Sequence, residues 1–316
     1  MSHAVYQKQY HGRPEELGHV AVLYGGLSSE RQVSLDSGRS ILDALQRQGV
    51  HATGIDVNDN VVTQLCEHRF DHAFIALHGP GGEDGKIQAV LECLHIPYTG
   101  SDYSASSLAM NKVHAKKIWQ ASGLPTPAYA CLTACSDWQQ VMAQLGPEVF
   151  VKPSHEGSSI GMSCVATAAE LEAAYQAAAQ YDAQVLVEQK IIGPEYTVAI
   201  LNGHVLPAIG LQTDHRFYDY DAKYIASDTR FFCPCDLSAE DEANLAALVL
   251  DAFNLLGCRG WGRIDVMRDG QDGKFYLLEA NTVPGMTSHS LVPKAALVAG
   301  LSFDELVLEI MASIRL

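Results

Sequence analysis

Apolar and polar positions alternate through residues 259–281, RGWGRIDVMRDGQDGKFYLLEAN, in two runs separated by the turn-rich DGQDG, which is the pattern of a β-hairpin. With the turn centred near Asp272, Asp265 falls opposite Glu279 and Arg263 opposite Asn281. The two-residue spacing then sends all four side chains to one face. Carboxylates set directly opposite each other repel, so such a face calls for a counter-charge, and hard oxygen donors of this kind suit Mg²⁺ carrying a polyphosphate. Taken singly, each residue reads more simply as part of a solvated strand face with a salt bridge.

The N-terminal half alternates strand and helix patterns. His19 to Tyr24 is a short apolar run ending in Gly25-Gly26, and a helical period runs from Val33 to Leu45. Strands are predicted over His51 to Val57 and Phe70 to Leu77, the latter running into HGPGGEDG, with a helix from Lys86 to Leu94. Such alternation implies a small parallel α/β domain of about one hundred residues. Its ligand should lie beyond the carboxyl ends of the strands, where Glu30, His78 and Glu83 project. Neither glycine cluster is a GxGxxG or Walker A loop, and each reads equally well as a simple turn.

A helix carrying Lys112 is predicted from Ser104 to Ser122, ended by Gly123 and Pro125, with a second domain starting around there. EVFVKPS then places Lys152 at a strand end, and HEGSSIGMS is a Gly/Ser-rich loop before a further strand. Backbone can approach a phosphate closely at such glycines while the serines add donors. An ordinary hairpin turn is the alternative, and Lys152 beside the loop favours the phosphate reading. Ala168 to Gln180 reads as a scaffold helix, VLVEQKI brings Glu188, GPEYTVAI brings Glu195, and Asn202-Gly203 closes a hairpin of type I′. Residues 214–235, without a clean period and crowded with aromatic and charged side chains, suit a functional loop. Ser238-x-x-Asp241 reads as a capping box opening a helix that ends at Gly257, and a last helical segment runs from Lys294 to the terminus.

Composition narrows the function classes. A hydrophobic content of 47% in 316 residues excludes a mainly disordered chain and allows two or three domains. No apolar run approaches the roughly 18 residues of a membrane span, so neither a membrane partner nor a membrane location is expected. The formal net charge of -16 opposes nucleic acid and anionic surfaces, so an anionic ligand must be held by the few local cations. The eight cysteines lack the paired spacing of a structural zinc site and read as reduced thiols in a cytoplasmic protein. Residues 1–18 have no apolar core behind a basic start and read as a mobile extension.

Six segments in order, GGLSSERQVSLDSG, ALHGPGGEDG, VKPSHEGSSIGM, YDYDAKY, GRIDVM and LLEANTVPGMTSHSLVP, resemble the D-alanine:D-alanine ligases of the ATP-grasp superfamily from about His19 to the end. The resemblance implies an α/β, three-domain ATP-grasp architecture. Its parts would be a Rossmann-like parallel-sheet domain over 19–103, a central domain over 104–191 and a catalytic domain over 192–316. It implies ATP between the last two, two Mg²⁺ ions (or Mn²⁺) and two D-alanine molecules where all three meet, in a homodimer serving peptidoglycan synthesis. In the implied reaction ATP phosphorylates the first D-alanine and the amine of the second attacks the acyl phosphate. Carried over residue by residue, Asp265, Glu279 and Asn281 resemble the metal ligands. Lys112, Lys152 and Lys223 resemble the phosphate contacts, and Glu188 and Glu195 the adenine and ribose contacts. Arg263 and the Gly285 N–H would stabilise the oxyanion, Glu30 would bind the first ammonium with His78 nearby, and Ser290 with the Leu291 N–H would bind the second carboxylate. Glu30, Ser158 and Tyr224 would latch the loop 214–235, and His289 would shape the Ser290 loop.

Two positions depart from the pattern: Pro80 stands where relatives often carry a basic residue, and Gln189 where a Lys often follows the first adenine-pocket glutamate. Neither removes a catalytic group. The competing readings are a related ligase with D-lactate or D-serine as acceptor, and a nucleotide-binding sensor without activity. YDYDAKY argues against the D-lactate type, and retention of every metal ligand and of Arg263 argues against the sensor.

Overall fold

The protein, described by a computed structural model over residues 6–212 and 230–315, builds three sheets among those residues. The first holds β1 (His19–Gly25), followed by α1 (Arg31–Arg47), then β2 (His51–Val57), the short α2 (Val61–Cys66) and β3 (His72–Ile75), in the parallel order β2-β1-β3. After it come α3 (Lys86–Cys93), α4 (Tyr103–Met110) and α5 (Lys112–Ala121). The second sheet takes β4 (Tyr129–Leu132), β5 (Val149–Pro153), β6 (Ser163–Val165) and β7 (Val185–Gln189) in antiparallel order β4-β7-β5-β6. It is packed by α6 (Trp138–Leu145) and α7 (Ala168–Ala178). The third runs β11-β10-β8-β12-β13, from β8 (Glu195–Leu201), β10 (Ile209–Gln212), β11 (Arg230–Phe232), β12 (Trp261–Arg268) and β13 (Phe275–Asn281), with β9 (His204–Val205) beside β8. Helix α8 (Ala239–Leu255) precedes β12, and α9 (Leu291–Val298) and α10 (Phe303–Ala312) close the fold.

The small parallel α/β unit and the hairpin expected from residue patterns are both present. Residues Asn202 and Gly203 have φ of 50° and 77°, the paired positive values that a type I′ turn requires and that Asn-Gly tolerates best. Several elements differ from expectation. The single helix over Ser104 to Ser122 is two helices, because Asn111 adopts extended φ/ψ of -81° and 99° and its side chain caps α5 by accepting from the His114 N–H. Ser238 caps α8 by accepting from the Asp241 N–H, but the capping box is not completed. The Asp241 carboxylate instead accepts from the Ser238 hydroxyl and from Arg268. The last helical segment is two helices, the second opened by a Ser302–Glu305 capping box. Of the stretch 214–235, residues 230–232 form the edge strand β11, and 214–229 lie outside the described residues.

The hydrophobic cores join segments distant in the chain. α9 and α10 pack in one core with β1, β3 and α1, while α4 and α5 share another with α8, β8, β12 and β13. Of the segment expected as a mobile extension, residues 6–10 lie against α10, and the buried Leu17 has its carbonyl 2.8 Å from His72 Nδ1 on β3. The Tyr6 N–H donates to the Ala299 carbonyl at 3.1 Å, and the buried Glu309 carboxylate accepts from the Gln9 and Tyr10 N–H groups and the Tyr6 hydroxyl. A carboxylate some three hundred residues away supplies the partner that no local pattern reveals. Among the described residues no helix is long and apolar enough to cross a membrane.

Candidate active site

The β12–β13 hairpin sets Arg263 opposite Asn281 and Asp265 opposite Glu279, with a bulge between Asp265 and Val266. Asp265 is buried and accepts a bidentate pair from Arg263 on its own strand, Nε to Oδ1 at 2.9 Å and Nη2 to Oδ2 at 2.8 Å. Thr197, directly opposite on β8, donates its hydroxyl to Asp265 Oδ1 at 2.6 Å. Lys112 Nζ lies 3.3 Å from Glu279 Oε2 and donates to the Glu156 carbonyl at 2.6 Å. Its place follows from the break at Asn111. The Lys112 N–H bonds the Ser154 carbonyl, and Ser154 Oγ donates to Asn111 Oδ1, so the start of α5 is pinned to the loop that follows β5.

That loop carries Gly157, Ser158 and Ser159 across to the start of α1. Ser158 Oγ donates to Glu30 Oε1, and a Cβ on Gly157 would stand 2.6 Å from Glu30 Oε2, so a side chain there would push the Glu30 carboxylate aside. Ser158 and Ser159 have φ of 50° and 61°, a left-handed conformation unusual outside glycine that here aims the loop at Glu30. Behind Glu30, His78 Nδ1 donates to the Val283 carbonyl at 2.9 Å. Its Nε2 forms a hydrogen bond with Ser37 Oγ at 3.1 Å. Burial pushes the neighbouring Glu83 carboxyl above its ordinary pKa. The His78 hydrogen bond opposes that shift and the nearby Glu30 charge adds to it.

On the other side of the hairpin, Glu188 on β7 is buried between two ammonium groups, Lys152 on Oε1 and Lys116 at 2.8 Å on Oε2. Burial alone would raise the Glu188 carboxyl, but Lys116 and Lys152 outweigh it and hold it at about 2. Burial likewise works against the Lys152 ammonium, and the carboxylates of Glu188, Glu279 and Glu195 more than offset it, so its pKa lies above the ordinary value.

These groups line two clefts. The larger, about 700 Å³, is walled by Lys152, Glu188, Glu195 and Asp265 among others. The smaller, about 130 Å³, is walled by Glu30, His78, Glu83, Ser158, Arg263, Asn281, Gly285, His289, Ser290 and Leu291. Lys112, Glu156 and Glu279 belong to both. A family description for the D-ala D-ala ligase C-terminus matches residues 118–312, and one for the D-ala D-ala ligase N-terminus matches 61–101. The chain belongs to the D-alanine–D-alanine ligase family. It is 59% identical to the D-alanine–D-alanine ligase of Saccharophagus degradans over 97% of its own length and 98% of that protein. The solved D-alanine–D-alanine ligase of Bacillus anthracis covers 94% of this chain and 97% of its own at TM-score 0.84 and 34% identity, and its complex with ATP aligns at 0.83 and 32% over the same shares. The VanG D-Ala:D-Ser ligase of Enterococcus faecalis aligns at 0.81 and 26% identity, covering 94% of this chain and 99% of its own.

Of the residues that the family resemblance singled out, Lys223 and Tyr224 lie outside the described residues, and the others fall on one or both clefts. Reading the chain alone missed Lys116, Thr197, Asn111 and Ser37. Lys116 stands four residues after Lys112 on the same helix face, and Thr197 two residues after Glu195 on the same strand face, so periodicity held a signal for both. Nothing local marks Ser37, whose hydroxyl joins the His78 ring to the Met286 N–H.

Proposed function

We propose that the protein joins two D-alanine molecules into D-alanyl-D-alanine, converting ATP to ADP and phosphate through a D-alanyl phosphate. The observation that carries this reading is the meeting of the two clefts at Lys112, Glu156 and Glu279: a space of nucleotide size opens onto a small polar one. The high identity to a D-alanine–D-alanine ligase along nearly the whole chain supports the reaction, and the ATP complex of the Bacillus anthracis protein supports the nucleotide.

Asp265, Glu279 and Asn281 put two carboxylates and a carboxamide on one hairpin face, a hard-oxygen set that fits Mg²⁺ or Mn²⁺, and they would hold two such ions. Bound there, the ions would neutralise charge on the polyphosphate. Among the described residues no group of three or more His, Cys, Asp or Glu side chains is gathered for a metal. Lys112 and Lys152 supply positive charge along the larger cleft, where Glu188 and Glu195 would meet the adenine amino group and the ribose hydroxyls. In the smaller cleft the Glu30 carboxylate, oriented by Ser158, would hold the ammonium of the first D-alanine. Arg263 and the Gly285 N–H would stabilise the oxyanion of the tetrahedral intermediate. The Leu291 N–H is the first of α9 and has no partner within the helix, so with Ser290 Oγ it suits the carboxylate of the second D-alanine.

The second D-alanine must lose its ammonium proton before it attacks, so dipeptide formation should rise with pH. The test offers the purified protein ATP, Mg²⁺ and D-alanine in competition with D-lactate, D-serine and L-alanine, with products resolved by mass spectrometry. D-alanyl-D-alanine is expected to dominate at neutral and higher pH. A mixture dominated by the ester or by D-alanyl-D-serine overturns the acceptor, and no phosphate release at all overturns the ligase. A cytoplasmic homodimer with no nucleic-acid partner belongs to the same reading, in keeping with the net charge of -16, and light scattering checks the dimer. The divisions 19–103, 104–191 and 192–316 are its working domains.

A further inference from the structure

Lys116 has no part in the chemistry described above, yet it is a fully buried ammonium on α5, one turn beyond Lys112. A charge in such a place is unfavourable unless it is paired and hydrogen-bonded. Its Nζ stands 2.8 Å from Glu188 Oε2 and donates to Thr126 Oγ1 at 2.8 Å, and the Thr126 hydroxyl donates in turn to the Leu277 carbonyl on β13 at 2.8 Å. The other Glu188 oxygen bonds Lys152. Lys152 and Glu188 line the larger cleft, whereas Lys116 stands behind them and does not.

We propose that Lys116 is a positioning residue for the nucleotide. By pinning one oxygen of Glu188 from behind, it fixes the carboxylate so that the other oxygen holds the Lys152 ammonium at the cleft wall. The reading rests on the larger cleft being the nucleotide site. A carboxylate bonded through a single oxygen can turn about its side-chain torsions and carry its partner along. One with a cation against each oxygen, an ion pair from α5 on Oε2 and a hydrogen-bonded ammonium from β5 on Oε1, is held against that turn. Stability alone is a weak reason for the arrangement, because apolar replacements of buried ion pairs are often neutral or better. The Lys116–Thr126–Leu277 chain further ties α5, which begins with Lys112, to the strand that carries Glu279.

The test is a double-mutant cycle of Lys116→Met and Glu188→Gln. It is read by calorimetric titration with a non-hydrolysable ATP analogue plus Mg²⁺, and by the KM values for ATP and D-alanine. Lys116→Met, shown to be folded by circular dichroism, is expected to weaken analogue binding and raise the ATP KM by about tenfold with the D-alanine KM unchanged. In the Glu188→Gln background the same change should alter binding by less than about twofold, since the ammonium has lost its partner. An equal loss in both backgrounds, or an equal rise in both KM values, overturns the positioning role. If Lys116→Met does not fold, Thr126→Val removes only the hydroxyl that holds Lys116. It is expected to weaken binding about threefold with the D-alanine KM unchanged, and no change in binding overturns the proposal. Failure of the unsubstituted protein to bind the analogue would remove the nucleotide reading itself. Normal binding in both the unsubstituted protein and Lys116→Met would remove the Lys116 role alone.

Discussion

Glu188 and Glu83 are both buried acids, one at each cleft, and their surroundings push them in opposite directions. Glu188 lies between two ammonium groups that hold its carboxyl down at about 2. For Glu83, burial drives the carboxyl upward against the opposing hydrogen bond from the His78 ring 3.5 Å away, and the Glu30 carboxylate nearby adds to the rise. Burial penalises both charged forms, so the difference is made by what other elements deliver: α5 and β5 bring cations to Glu188, while the start of α1 brings a further anion toward Glu83. The Lys152 ammonium is thereby kept charged at the wall of the larger cleft, where a polyphosphate would meet it. The Glu30 end of the smaller one is left with negative charge suited to an ammonium.

The largest expected effect lies where the clefts meet. Asp265→Asn and Glu279→Gln should each lower turnover by about a hundredfold or more while the far-ultraviolet circular dichroism is unchanged, since each removes an anionic oxygen from the metal face. Chelation of divalent ions should abolish activity, and added Mg²⁺ restore it. Near-normal turnover in both variants would reduce that face to a structural ion pair.

Glu188→Gln comes next, because it leaves two buried ammonium groups without their counter-charge. A loss of about 3 kcal/mol in urea unfolding is expected at neutral pH. Glu188 has a depressed folded pKa, so its contribution is fully present above the ordinary carboxylate value and is lost as pH falls through about 2. The gap between variant and parent should therefore narrow only in strong acid, and a gap that is constant with pH would mean that the pair does not stabilise through charge. Ser290→Ala is expected to weaken the second D-alanine site by about 1 kcal/mol, the worth of one hydrogen bond, and to leave the first within twofold. Steady-state fits for the two sites separate these values. Glu83→Gln should have the smallest effect and the opposite sign. A buried acid with a raised folded pKa favours the folded state while protonated and loses that advantage as pH rises above the ordinary carboxylate range. The amide should thus match the parent in acid and exceed it by up to about 1 kcal/mol at pH 7 to 8. Losses of similar size in Glu83→Gln and Glu188→Gln would erase the contrast between the clefts.

Much of the site was legible because its first element is local. The Arg263–Asn281 and Asp265–Glu279 pairings follow from strand alternation and a turn, and the observed register is the one that the residues imply. The Gly/Ser loop after Lys152 was legible for the same reason. Its landing on Glu30, through Ser158 and the missing Cβ of Gly157, rests on contact between residues more than one hundred positions apart. The long helix expected over Ser104 to Ser122 failed at Asn111, whose side chain offered the backbone a cap in place of another helical turn. The packing of residues 6–10 is not legible along the chain because the partner, Glu309, lies at the opposite end of it.

Sequence by itself determined what arises within a few residues: the parallel α/β start, the hairpin and its register, the Asn202-Gly203 turn, and the ordered motifs that place the chain in its family. Only the tertiary structure decided which charges are buried and what they face. It alone put Lys116 behind Glu188, joined His78 to Val283 across the fold, and packed α9 and α10 on the first sheet. The division has a physical cause. Backbone preferences and side-chain periodicity are fixed by neighbours along the chain, whereas the free energy of a buried ion depends on dipoles and charges that arrive only when distant segments close around it.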